Sequence, residues 1–115
     1  MDKKDEVLRF LKCFKDKARI FGILFCDDRG KNTQTLLDLE ITSMKRIEII
    51  MNLEETDFID GPLKDTLYKI SDMWIFGKTV KKKEVYIKIS MGTNDNCAIC
   101  ISFHIAEHKL AYKFK

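Results

Sequence analysis

The stretch VYIKISMGTNDNCAICISFH, Val85 to His104, decides the fold. Its first half alternates Val85, Ile87, Ile89 and Met91 against Tyr86, Lys88 and Ser90, and its second half alternates Cys97, Ile99, Ile101 and Phe103 against Ala98, Cys100, Ser102 and His104. A period of two puts successive side chains on opposite faces of a strand, so both halves predict half-buried strands with the apolar set on the core side. Turn-forming MGTNDNC lies between them, which predicts an antiparallel hairpin about Gly92 to Asn96. MWIFGKTV, residues 73–80, is a third strand, joined to the first by VKKKE. Met73 to His104 therefore reads as a C-terminal three-stranded meander.

Upstream the period changes. In KKDEVLRFLKCFKDK the residues Val7, Leu8, Phe10, Leu11 and Phe14 recur at three- and four-residue steps, which predicts an amphipathic helix over 4–17. RIFGILFC, residues 19–26, reads as a buried strand or extended connection, and NTQTLLDLE as a short helix. ITSMKRIEIIMNL predicts a helix capped by Thr42 or Ser43, with Met44, Ile47, Ile50 and Met51 on its inner face. Glu54 to Asp72 reads as turn and loop with a helical turn around Phe58. The expected class is α+β: N-terminal helices packed on a curved antiparallel sheet, in one domain spanning 1–115.

A chain of 115 residues with 45% hydrophobic and 34% charged residues is globular rather than disordered. It is long enough for an ordinary apolar core to hold it. Four cysteines, a charged start and no apolar run long enough to span a bilayer point to the cytoplasm and away from a membrane. Charge is unevenly placed. Residues 40–65 carry seven acids against three bases, net −4, whereas residues 73–115 carry eight bases against three acids, net +5. The basic C-terminal part suits a polyanion, and a solvated lysine face is the plainer reading.

With a three-residue turn centred on Lys82, Lys78 falls opposite Tyr86 and Phe76 opposite Lys88. A turn over 92–96 sets Tyr86 opposite Ser102 and Lys88 opposite Cys100. Even-numbered residues of all three strands then share the open face: Trp74, Phe76, Lys78, Tyr86, Lys88, Ser90, Ser102 and His104. Lysines attract phosphate, aromatic rings stack on unpaired bases, and imidazole and phenol move protons, so this face is a candidate RNA site. A solvated face with Trp74 and Phe76 covered by the 54–72 segment is the alternative. The spacing C-x2-C-x3-H-x3-H over Cys97 to His108 resembles a zinc pattern. On an extended strand, however, Cys97 and Cys100 point to opposite faces, so no metal is expected and Cys97 reads as a small core residue. Glu107 and His108 lie just beyond the strand, within reach of the same site.

DMWIFGK, EVYIKI and CISFHIAE, with the earlier KNTQTLLDL and LEETDFIDGPL, resemble the MqsR (motility quorum-sensing regulator) family of type II toxins over about Lys31 to Phe114. The resemblance implies a RelE-like fold and metal-independent endoribonuclease activity on mRNA, with no cofactor. It also implies a cognate antitoxin encoded nearby, through which any dimer would form. Tyr86 and Lys88 match the family's functional tyrosine and lysine, and His104 stands where the best-known member has a lysine. Asp60 replaces a catalytic lysine and Ile75 a glutamine, which leaves Lys78 and His104 to assume those roles.

The expected mechanism is attack by a ribose 2′-hydroxyl on the adjacent phosphorus, with His104 or Glu107 as base and Lys78 and Lys88 stabilising the phosphate charge. Tyr86 orients the phosphate or protonates the leaving oxygen. Trp74 or Phe76 stacks a base, and Lys82, Lys83 and Ser102 contact the RNA. The alternative is an RNA- or protein-binding module of the same fold without catalysis.

Overall fold

The computed structural model describes residues 2–27, 30–64, 71–93 and 97–115. Helix α1 (Lys3–Phe21) leads into strand β1 (Ile23–Phe25), then helices α2 (Lys31–Leu39) and α3 (Ser43–Met51). A 3-10 turn at Glu55–Asp57 precedes β2 (Phe58–Leu63), β3 (Met73–Val80), β4 (Lys83–Ser90) and β5 (Ala98–Ile105). The five strands form one mixed sheet in the order β1-β5-β4-β3-β2, parallel between β1 and β5 and antiparallel elsewhere.

Helix α1 forms where the apolar stripe predicts, and runs four residues further. Asp2 caps its start by accepting from the Asp5 backbone N–H, and Gly22, at φ +83°, ends it with an N–H bond to the Ala18 carbonyl. Its stripe of Val7, Phe10, Leu11, Phe14 and Ala18 is buried against the sheet. Phe10 stacks on Trp74 at 4.5 Å between ring centroids, and Phe76 lies 6.2 Å from it. Fully burying a side chain of this size stabilises by ~1.5–3 kcal/mol, so this contact anchors helix to sheet.

Helix α3 is capped by Thr42, whose side chain accepts from the Lys45 N–H. Its inner face keeps the expected Ile50, with Met51 packed against the core, but not Met44. Arg46, Ile49 and Ile50 are buried, whereas Met44 is 75% exposed. The reason is an ion pair: Arg46 binds both carboxylate oxygens of Asp27 at 3.1 Å and stacks 3.6 Å above the Phe25 ring, which turns the helix toward β1. The segment around Phe58, expected as a helical turn, continues from the 3-10 turn into β2. Of the remainder of the predicted loop, residues 65–70 lie outside the described residues, as do residues 94–96 of the β4–β5 turn.

Two register features set the faces of the sheet. The β3–β4 turn holds two residues, Lys81 and Lys82, both at positive φ (50° and 69°), and not three. Trp74 therefore pairs with Ile89, Phe76 with Ile87 and Lys78 with Val85, which moves these three residues from the expected open face to the helix side. On β5 the register shifts between the pairs Lys88–Ser102 and Ile89–Cys100, so Ile101 is skipped as a bulge. Ser102 and His104 keep their expected outward direction. Ala98 and Cys100, expected outward, are fully buried in the core, and Cys97, expected inside, is half-buried with its thiol against the Phe21 carbonyl at 3.1 Å.

Asn32 of α2 holds the bulge. Its amide donates to the Ile101 and Cys26 carbonyls (3.2 and 3.0 Å), and its oxygen accepts from the Phe103 N–H at 3.0 Å. Thr35, one turn on, accepts from the Ile105 N–H at 3.1 Å. Both side chains are buried. They satisfy the β5 edge where β1 has ended and leave no row of open backbone groups there.

Candidate functional site

The outer face of the sheet, opposite α1, carries a cleft of about 390 Å³ lined by Tyr86, Lys88, Ser102, His104, Glu107, His108 and Leu110. This lies within the ~300–1,000 Å³ typical of ligand sites. Its floor follows from register. Tyr86 is the direct partner of His104, and Lys88 of Ser102, so four side chains of β4 and β5 stand in two adjacent rows. The Tyr86 and His104 rings stack at 5.2 Å and 20°.

The rows continue onto β3 as Gly77 beside Tyr86 and Ile75 beside Lys88, and onto β2 as Asp60 beside Ile75. Gly77 has a specific reason. A Cβ there would lie 2.6 Å from Leu110 Cδ1 and 2.7 Å from the Tyr112 hydroxyl, because the C-terminal segment crosses the sheet at this point. Contacts that hold that segment include the Leu110 N–H and the Tyr112 hydroxyl donating to Glu84 at 3.5 and 3.0 Å, the Lys113 N–H donating to the Phe58 carbonyl at 3.1 Å, and Phe114 stacking on Phe58 at 5.7 Å. Leu110 thereby walls the cleft. The Leu110 wall is not foreshadowed by the strand pattern, though the glycine between Phe76 and Lys78 in an otherwise bulky strand is its trace.

Protonation states follow from the partners. His104 Nδ1 lies 3.0 Å from the Ile105 carbonyl oxygen, which only accepts, so Nδ1 carries the proton and in the neutral ring Nε2 holds the lone pair. Burial, and secondarily the Asp60 charge, raises the Tyr86 phenol above its ordinary range, so it donates hydrogen bonds and stays neutral. Glu107 is ion-paired with Lys31 of α2, whose hydrogen bond and charge hold its carboxyl below the usual range. The cleft thus offers a lone pair at His104, hydroxyl donors at Tyr86 and Ser102, an ammonium at Lys88 and a carboxylate at Glu107.

Five of the predicted site residues meet here: Tyr86, Lys88, Ser102, His104 and Glu107. The others do not. Trp74 and Phe76 lie in the core under Phe10 and cannot stack a base. Lys78 faces the helix side, where it donates to the Asp57 carboxylate at 3.0 Å and lines a separate depression of about 300 Å³ with Lys45, Ile49 and Lys81. Lys82 and Lys83 are exposed at the β3–β4 turn and do not line the cleft. His108, expected from the sequence only to lie within reach of this site, lines the cleft. Among the described residues no three His, Cys, Asp or Glu side chains are grouped to hold a metal ion, and no helix is long and apolar enough to cross a membrane. No family model, curated protein or solved structure matches the chain.

Proposed function

We propose that the chain is a toxin of the MqsR type, with a RelE-like fold and metal-independent endoribonuclease activity on mRNA, restrained in the cytoplasm by a cognate antitoxin. The observation that supports this reading best is the cleft itself: an imidazole with its Nε2 lone pair available, a protonated phenol and an ammonium stand on adjacent positions of two strands. His104 Nε2 takes the proton of a ribose 2′-hydroxyl, and the freed oxygen attacks the adjacent phosphorus. Lys88 and the Tyr86 hydroxyl hold the phosphate oxygens as charge builds on them. The bond to the 5′-oxygen breaks, leaving a 2′,3′-cyclic phosphate and a 5′-hydroxyl end.

Asp60 and Ile75, the two departures from the family's pattern, are neighbours in one row beside Lys88. The missing lysine is not supplied by Lys78, which is turned to the other side of the sheet. In this reading the chain works with fewer cations, and His104 carries the base chemistry.

Purified protein incubated with mixed-sequence RNA in excess chelator tests the proposal. Cyclic-phosphate ends and loss of cleavage by ~100- to 10,000-fold in His104→Gln are expected. Intact RNA overturns the enzymatic reading, and salt-sensitive binding without products identifies a binding module.

A further inference from the structure

Cleavage by 2′-hydroxyl attack needs two proton transfers, one from the attacking oxygen and one to the leaving oxygen, on opposite sides of the phosphorus. The cleft's side chains can be sorted by which of them can give the second proton. Glu107 is held ionised by Lys31 and has no proton to donate. The Tyr86 phenol is a weaker acid than an ordinary tyrosine, and a general acid works best when its affinity for the proton matches the working pH. Lys88 is worth more as a fixed positive charge, and Leu110 is inert. His104 is committed as the base, with its Nδ1 tied to the Ile105 carbonyl. One titratable side chain of the cleft remains: His108, exposed on the turn that follows β5, four residues past His104 and beside the Glu107 carboxylate.

Resting on the ribonuclease reading of this cleft, we infer that His108 is the general acid, paired with His104 across the scissile phosphate. The 2′-oxygen loses its proton to His104 Nε2 and forms the new bond to phosphorus. The bond from phosphorus to the 5′-oxygen breaks, and its electron pair takes a proton from the His108 imidazolium. One proton enters the pair and one leaves, so charge balances without any further reagent. Tyr86 then only positions the phosphate. The imidazole pair also fixes the substrate class: a strand with a free 2′-hydroxyl beside the scissile bond, because a deoxyribose offers His104 nothing to deprotonate.

The test uses RNA in which the 5′-oxygen of the phosphodiester that the parent cuts, located by end mapping, is replaced by sulfur. A thiolate leaves without being protonated, so loss of the acid does not matter for this substrate. His108→Gln is expected to cut ordinary RNA ~100-fold or more slowly than the parent and the sulfur-linked RNA at close to the parental rate, whereas His104→Gln is slow on both. A His108 variant as fast as the parent on ordinary RNA, or equally impaired on both substrates, overturns the assignment while leaving the ribonuclease reading intact. A parent that cuts neither substrate overturns both.

Discussion

The ring of Tyr86 lies flat against the ring of His104, centroids 5.2 Å apart, because the two residues are direct partners on β4 and β5. The phenol ring thus walls the imidazole, and in the proposed reaction its hydroxyl donates to the phosphate. Tyr86→Phe keeps the wall and removes the donor, with an expected ~100- to 1,000-fold loss of cleavage. Because burial and then Asp60 raise this phenol's pKa above 10.0, it keeps its proton beyond pH 10, and Asp60→Asn moves its ionisation back toward the ordinary value. Ultraviolet titration of tyrosinate in both proteins reads the shift; an unchanged Tyr86 titration would contradict the Asp60 contribution.

Lys78→Met separates stability from chemistry. The Asp57 carboxylate is 3% exposed and loses its cation, leaving a buried charge short of a partner. A cost of about 1–3 kcal/mol in denaturant unfolding is expected, with the cleavage rate of folded protein unchanged. Lys88→Met is expected to do the reverse. Equal rate losses in the two variants would return Lys78 to the site.

Much of the site was legible because period-two alternation and parity are local. Tyr86, Lys88, Ser102 and His104 share a face whichever even register β4 and β5 take, and they do. The face of β3 was misread by one residue of turn. A two-residue turn needs positive φ, which favours Asn or Gly, and Lys81 and Lys82 adopt it at some steric cost. Nothing in VKKKE announces such a turn. The bulge at Ile101 was equally hidden, since the side chain that holds it, Asn32, is 69 residues away from its carbonyl partner. The burial of Arg46 in a helix that reads as amphipathic about Met44 depends on Asp27 in the same non-local way.

Gly77→Ala drives a methyl group into Leu110 and Tyr112. Overpacking of this kind costs about 1–3 kcal/mol, and here it can be relieved by displacing the C-terminal segment. Faster amide exchange at Leu110 and Lys113 is expected, together with weaker substrate binding, because Leu110 leaves the cleft wall. Parental exchange rates at both amides would show that the segment does not bear on Gly77.

Tyr112 makes the same segment sensitive to alkali. Burial, its hydrogen bond to Glu84 and that carboxylate's charge push its pKa up to about 12 from the ordinary 10.0. The folded state holds this proton more tightly than the unfolded state, so the contribution is complete below pH 10 and is lost as pH rises from 10 toward 12. Tyr112→Phe is expected to flatten that part of the stability-against-pH curve. A curve of the same slope as the parent's would assign the alkaline loss elsewhere.

The skipped residue on β5 has a consequence for how the imidazole is aimed. The stretches before and after Ile101 run out of phase with each other, so Cys100 and Phe103 both point inward while His104 points out. Were the strand to straighten, one stretch would have to invert, turning either the thiol of Cys100 or the ring of His104 through the sheet. The carboxamide of Asn32 opposes this, and so a side chain that never touches the cleft decides whether the imidazole faces the solvent.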